Sequence, residues 1–346
     1  MLSRLRRFDL MKTLARATWL ASLAACGTMQ TSAPTGAPPA AGAVVASVPI
    51  GRGPTLLAIS PDGSVVYAAS VGQLAAIRTD TNTVAATARI DPYTTGIAVT
   101  PDGNHVLLVA VSSTSLTILP AGNLAQASEI ALPQPGLYPG GYGRIAVSAD
   151  GRTAWVVNED LWLAIVNLGA GTAQRATLAM RPNDMALSRD GRTAYVAGCQ
   201  EYCTTGTIEL IDVASQNAMA TISVGSGPYR FALSPDGRRG YTTNLGGPSL
   251  SIVDLAGHTV QATLPVGIEP TGLAVSSDGA RVYIASNRTG RLTIASGDGR
   301  TVLATVRIPG SPRDIVLSPE GRRAYVSTSA PNAVVVLDTQ QLGART

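Results

Sequence analysis

Leu233-Ser234-Pro235-Asp236-Gly237 is the segment from which the fold of this 346-residue chain can be worked out. Proline presets φ for a tight turn, aspartate accepts hydrogen bonds from nearby backbone N–H groups, and glycine takes the positive φ that reverses the chain. Apolar residues precede the segment and Tyr241 follows it. The segment therefore predicts a hairpin turn between two β-strands, in which the aspartate is a turn residue rather than a catalytic acid.

The same pattern occurs seven times along the chain. Each copy has an apolar residue, Ser or Thr, a variable residue, Asp or Glu, and Gly; the glycines are Gly63, Gly103, Gly151, Gly191, Gly237, Gly279 and Gly321. Successive glycines are separated by 40, 48, 40, 46, 42 and 42 residues. A period of about 40–50 residues with several short strands per repeat is typical of a β-propeller.

Each repeat has room for four strands. The strand after the turn carries an aromatic residue in six copies and Leu107 in the other. Apolar segments such as 207–212 and 220–225 follow as third and fourth strands. The sequence predicts an all-β chain: a seven-bladed β-propeller with four antiparallel strands per blade.

The two ends of this domain, residues 43–346, indicate how the ring closes. The last repeat ends after its third strand, residues 334–338, whereas the domain begins with an isolated fourth strand at residues 44–51. We expect the N-terminal strand to complete the last blade, which removes exposed sheet edges that would otherwise promote aggregation.

Residues 1–25 are typical of an export signal, with a basic start and a short apolar stretch before Cys26. Leu23-Ala24-Ala25-Cys26 resembles the lipobox of bacterial lipoproteins. The resemblance implies an acylated Cys26 and a periplasmic protein held by this anchor, with the outer membrane favoured because Gly27 follows. An ordinary secretory signal stays open, as does a start at Met11 instead of Met1. Residues 26–42 would be the lipidated cysteine and a flexible tether.

The charge distribution argues against a nucleic-acid partner. The net charge is +4, but five basic residues and one acid lie in the first 25 positions, which leaves 21 basic and 21 acidic residues in the remainder. Non-specific binding to phosphates needs a basic excess. We therefore expect an envelope protein or a small polar ligand as partner, with membrane contact only through the anchor.

The residues that could hold a cofactor or metal are few. His105 and His258 are the two histidines and fall in different repeats, so we expect no haem, other cofactor or metal site. Cys199 and Cys203 are close in sequence and read as a local disulfide in an exported protein.

Nine residues are candidates for ligand binding at one mouth of the central channel. Period-two alternation places the residue four positions before each repeat's Ser or Thr towards the channel. The candidates are charged residues at this repeat position, two residues next to them in sequence and one loop at the same mouth. They are Arg144, Asp184, Tyr229, Arg230, Arg313, Asp314, Asn158, Glu159 and Asp160. They predict either a salt-bridged ring that satisfies its own charges or a polar pocket for a small anionic or carbonyl ligand. The insertion at residues 132–143 favours use of this face.

The repeats resemble the YVTN-repeat propellers, the family that includes YncE-type bacterial periplasmic proteins. The resemblance covers residues 43–340, and Tyr241-Thr242-Thr243-Asn244 and Trp155-Val156-Val157-Asn158 come nearest to the tetrapeptide. It implies the fold and leaves the function open, since related propellers include lactonase-like enzymes, haem-binding domains, DNA binders and surface proteins.

Three functions remain as hypotheses. The preferred one is a non-enzymatic, monomeric binding or scaffold module of the cell envelope, which presents the channel mouth and the loops between second and third strands. A lactonase-like hydrolase or isomerase is the alternative, with Arg144 or Arg230 as a clamp and Asp184, Glu159 or Asp314 as base. Single-stranded DNA binding is a second alternative, although the chain lacks clustered arginines interleaved with aromatic residues.

Overall fold

Within the residues that the computed structural model describes, twenty-eight β-strands form seven antiparallel sheets. The structure describes residues 43–342 except residues 112, 134–141, 159–160 and 201–202, and it describes only the backbone of Tyr142. The export signal, Cys26, the tether, Glu159 and Asp160 lie outside the described residues. In the part that is described, no helix is long and apolar enough to cross a membrane.

Each sheet is one blade, and in six of the seven blades the strands follow one another along the chain. The first strand, β1, is Val44–Pro49. The first three blades are β2 Leu56–Ile59, β3 Val65–Ser70, β4 Gln73–Arg78 and β5 Thr83–Arg89; β6 Thr94–Val99, β7 His105–Ala110, β8 Ser115–Pro120 and β9 Ser128–Ala131; β10 Tyr142–Val147, β11 Thr153–Asn158, β12 Trp162–Asn167 and β13 Thr172–Thr177. The fourth and fifth are β14 Arg181–Leu187, β15 Thr193–Cys199, β16 Gly206–Asp212 and β17 Ala218–Val224; β18 Pro228–Leu233, β19 Arg239–Asn244, β20 Ser249–Asp254 and β21 Thr259–Pro265. The last two are β22 Pro270–Val275, β23 Arg281–Ser286, β24 Arg291–Ser296 and β25 Val302–Arg307; β26 Ser311–Leu317, β27 Arg323–Ser329 and β28 Ala333–Asp338.

The predicted ring closure is confirmed. β1 pairs with β28 in the seventh sheet, with Ala46 opposite Val336 and Val48 opposite Val334. The last blade is therefore built from both ends of the domain. The prediction of seven four-stranded blades is confirmed as well.

The repeated turns lie together on one face of the ring, here called the turn face. Ser234 donates from Oγ to Asp236 Oδ1 at 2.5 Å, and the backbone N–H of Arg238 donates to the same oxygen at 3.1 Å. The equivalent bonds hold the pKa of Asp62 and of Asp102 at about 2. Hydrogen bonding that favours the charged carboxylate explains the low values, and it agrees with a structural role for these acids.

The hydrophobic core is divided into seven clusters, one in each interface between neighbouring blades. The residue at the aromatic position of each second strand packs into the interface with the following blade. These residues are Tyr67, Leu107, Trp155, Tyr195, Tyr241, Tyr283 and Tyr325. Burial of one such side chain contributes about 1.5–3 kcal/mol, so these positions join the blades into a ring.

Candidate functional site

A cavity of about 310 Å³, here called the mouth cavity, opens where the innermost strands begin. This face of the ring, opposite the turn face, is called the mouth face. Every blade contributes the residue five positions before its repeat's Ser or Thr. These residues are Thr55, Thr95, Gly143, Asn183, Tyr229, Thr271 and Arg313.

An irregularity in six of the seven innermost strands explains why their residues line the cavity; β2 shows no such shift. The pairing register between first and second strands shifts between Pro182 and Asp184, and likewise between Pro312 and Asp314. A bulge leaves one residue unpaired and redirects its side chain. The sequence prediction used uninterrupted alternation, so it identified Tyr229 and Arg313 only as neighbours. It missed the other polar residues at the same repeat position, Thr55, Thr95, Asn183 and Thr271. Their common position in the repeat was the signal that could have revealed them.

Arg230 joins two buried aspartates beneath the mouth cavity. Its guanidinium lies 2.7 Å from Asp314 and 3.6 Å from Asp184. The two aspartates come from the seventh and fourth blades and Arg230 from the fifth, so this ion triad, the Arg230 bridge, spans the channel. Gly272 holds the equivalent position in the sixth blade, between Arg230 and Asp314, and places no side chain in the way.

Both aspartates also bind the backbone of the next blade. Asp184 Oδ2 accepts from the N–H of Phe231 at 2.9 Å, and Asp314 Oδ2 accepts from the N–H of Leu57 at 3.1 Å. Their other oxygens accept from Met185 and Ile315, respectively. Buried charges need pairing of this kind, and the residues of the bridge therefore have a structural explanation that requires no ligand.

Arg144 and Arg313 provide the charge of the mouth cavity. The Arg144 guanidinium carbon lies 6.0 Å from the centre of the Tyr229 ring, within cation–π range. Arg313 is exposed. Thr271 Oγ1 is buried and has no hydrogen-bond partner among the described residues. No acidic residue is found among the described residues that line the cavity, so its polar groups suit an anion.

Asn158, the two cysteines of the long loop and the two histidines are not among the described residues that line this cavity. Asn158 is buried at the end of β11, opposite Tyr142 and Trp162, and it does not line the cavity. The sulfur atoms of Cys199 and Cys203 are joined, and their Cα atoms lie 5.0 Å apart. His105 begins β7, and His258 lies between β20 and β21. Within the described ranges, no group of three or more His, Cys, Asp or Glu residues is arranged to hold a metal.

One buried acid was not singled out from the sequence. Glu209 lies in the centre of β16, and its exposed fraction is 3%. One carboxyl oxygen has no partner among the described residues. Burial raises the pKa of Glu209, and a hydrogen bond from the N–H of Ala179 partly opposes that rise.

The strand order, the seven interfaces and the central channel define the chain as a seven-bladed β-propeller. It is similar to Kuenenia stuttgartiensis hydrazine synthase, with 20% identity and a TM-score of 0.72 over 90% of this chain and 99% of that chain. It is also similar to the β-propeller domain of Cps50 (Swd1) from Myceliophteria thermophila, with 10% identity and a TM-score of 0.73 over 86% of this chain and 99% of that one. At these identities the likeness shows the fold alone. No family model and no curated protein sequence matches the chain.

Proposed function

We propose that this chain is a non-enzymatic binding module of the bacterial cell envelope, which takes a small anionic ligand in the mouth cavity. One observation carries the proposal: Arg144 and Arg313 line the cavity, whereas the aspartates of the channel are occupied by Arg230 and backbone amides. The cavity therefore offers positive charge without a neutralising carboxylate among its described lining residues. Carboxylate and phosphate groups fit the planar donors of arginine.

The proposed location rests on sequence. A lipobox-like segment before Cys26 and the resemblance to YVTN-repeat propellers support a lipid-anchored protein of the periplasm. The described part of the chain begins on the turn face, where the backbone oxygen of Ala43 accepts from the N–H of Asp338. The first described strand, β1, therefore runs from the turn face towards the mouth face.

The lactonase-like alternative has weaker support. A general base must be free to take a proton from substrate or water, but Asp184 and Asp314 each bind two backbone N–H groups and contact Arg230. Glu159 is outside the described residues. Single-stranded DNA is also supported less well, because Tyr229 is the one aromatic residue among the described lining residues.

A thermal-shift panel tests the proposal. Dicarboxylates, sugar phosphates, sugar lactones and short oligonucleotides are added to the mature chain, to an Arg144→Gln/Arg313→Gln double variant and to Arg181→Gln. Arg181 is an exposed arginine at the start of β14 that does not line the cavity. We expect an anion to raise the melting temperature of the wild type and Arg181→Gln by a few degrees but not that of the double variant. Equal shifts in all three proteins, or no shift with any compound, would contradict the proposal, and lactone turnover lost in the double variant would favour the enzyme.

A further inference from the structure

A second cavity, of about 470 Å³, lies on the mouth face at the edge of the sixth blade and is here called the rim cavity. The loop between β23 and β24 forms one wall, with Asn287, Arg288 and Thr289, and the connection from β25 to β26 forms the other, with Arg307 and Ser311. No acidic residue is found among the described residues that line it. The cavity is thus bordered by two guanidinium groups, an amide and two hydroxyls.

Two arginines face each other across adjacent strands, and one of them, Arg307, lines this cavity. Arg291, the first residue of β24, is directly opposite Arg307, the last residue of β25. Like charges in this position repel each other. The equivalent pairs in the other blades contain no second cation; they are Gln73 and Arg89, Ser115 and Ala131, Trp162 and Thr177, Gly206 and Val224, Ser249 and Pro265, and Ala333 and Pro49. The concentration of positive charge is therefore a specific feature of the sixth blade.

The described residues neutralise the charges of Arg288 and Arg307 only in part. Arg288 contacts Glu269 at 3.5 Å, but both side chains are largely exposed, and such pairs are weak. Within the described residues Arg307 has no ion-pair partner. Asn287, in the cavity wall, has a buried side-chain amide nitrogen with no hydrogen-bond partner among the described residues. An unmade bond at a buried donor is costly, and an oxyanion beside this amide would supply the missing acceptor.

We propose that the rim cavity is a second anion site, which binds a phosphate group through Arg288, Arg307 and Asn287. Guanidinium groups form paired hydrogen bonds with tetrahedral oxyanions, and a phosphate brings negative charge beside Arg288 and Arg307. The site does not depend on the mouth cavity, since the two cavities share no lining residue. The phosphate could be free or part of a lipid headgroup, and both present the same group to these residues.

The test is a titration of the purified mature chain without acyl groups with inorganic phosphate and with glycerol 3-phosphate, together with flotation on phosphatidylcholine vesicles with and without phosphatidic acid. The variants are Arg307→Gln and the matched control Arg89→Gln, which alters the equivalent position of the first blade, opposite Gln73. We expect saturable binding that weakens at least tenfold in Arg307→Gln and changes less than twofold in Arg89→Gln, about 1.4 kcal/mol for each factor of ten. Binding to phosphatidic acid vesicles that also requires Arg307 would identify a lipid headgroup as the source.

Two further measurements keep the test decisive. The unliganded Arg307→Gln variant should melt at the same temperature as the wild type, because Arg307 is exposed and has no ion-pair partner within the described residues, and this separates lost binding from misfolding. Phosphate binding should persist in Arg144→Gln/Arg313→Gln, whatever the outcome for the mouth cavity. Absence of phosphate binding by the wild type, equal weakening by Arg307→Gln and Arg89→Gln, or loss in the mouth-cavity variant would overturn the proposal.

Discussion

Arg230 is the cation that pairs with the two buried aspartates inside the channel. Its replacement by methionine would leave Asp184 and Asp314, which are 5% and 1% exposed, without a cation. We expect Arg230→Met to lower the free energy of unfolding by about 3–5 kcal/mol, the typical cost of breaking a buried ion pair. Urea unfolding would measure the change.

Arg144→Met is the matched control for the Arg230 bridge. Arg144 holds the equivalent repeat position in the third blade, but its described contact is with the Tyr229 ring. Its loss should cost no more than about 0.5–1 kcal/mol. Equal destabilisation by the two substitutions would show that the bridge is not the source of the difference.

Glu209 should make the stability of the fold depend on pH. Burial raises the pKa of Glu209 above that of the unfolded chain, so the folded state binds the proton more tightly. The stability contributed by the protonated group is present below the unfolded pKa and is lost as pH rises through the folded pKa. We expect Glu209→Gln to gain stability relative to wild type as pH rises from acidic to neutral, in urea unfolding at a series of pH values. Glu129→Gln, at an exposed strand position, is the control; a constant difference between Glu209→Gln and wild type at all pH values would contradict the assignment.

At the scale of the structural element, the turns of neighbouring blades pack on each other where proline is present. A Cβ built on Gly103 would lie 3.6 Å from Pro61, and one on Gly279 would lie 3.3 Å from Pro235. Ala149 stands at the proline position of the third blade, and no atom lies within 4 Å of a Cβ built on the next turn glycine, Gly191. A cavity of about 490 Å³ occupies this interface.

Proline at position 149 should therefore stabilise the turn. Four other copies of the turn have proline there, and a compatible proline restricts the unfolded chain. We expect Ala149→Pro to raise the free energy of unfolding by about 0.4–1 kcal/mol, measured by thermal unfolding. Gly151→Ala is the control with the opposite expected effect. Gly151 has a φ of 69°, which favours glycine, so alanine there should destabilise the protein. A loss of stability in Ala149→Pro would mean that this turn differs from the proline-containing copies.

At the scale of the whole molecule, closure of the ring depends on β1. Deletion of residues 43–49 would expose the edge of β28, whose residues Val334, Val335 and Val336 are at most 1% exposed. An unpaired apolar edge promotes association between chains. We expect a melting temperature lower by many degrees, together with concentration-dependent oligomers in size-exclusion chromatography. Deletion of residues 27–40 should change neither property, and an unaffected melting temperature after loss of β1 would contradict closure by this strand.

The sequence by itself determined the number of blades, the strands of each blade and the strand that closes the ring. These features follow from turns of five residues and from apolar periodicity, which act locally and repeat seven times. The turn aspartates were also identified correctly as structural residues, because their partners lie within a few positions along the chain.

Only the tertiary structure decided how the polar residues of the channel are used. Asp314 accepts from Leu57, 257 positions away, and contacts Arg230, 84 positions away. Bulges at the start of the innermost strands moved Asn183 and Thr271 to the cavity surface and left Asp184 beneath it. Alternation along one strand contains no information about such register shifts or about contacts between separate blades. Only the folded ring therefore shows which charged residues pair with one another inside the channel and which arginines line the mouth cavity.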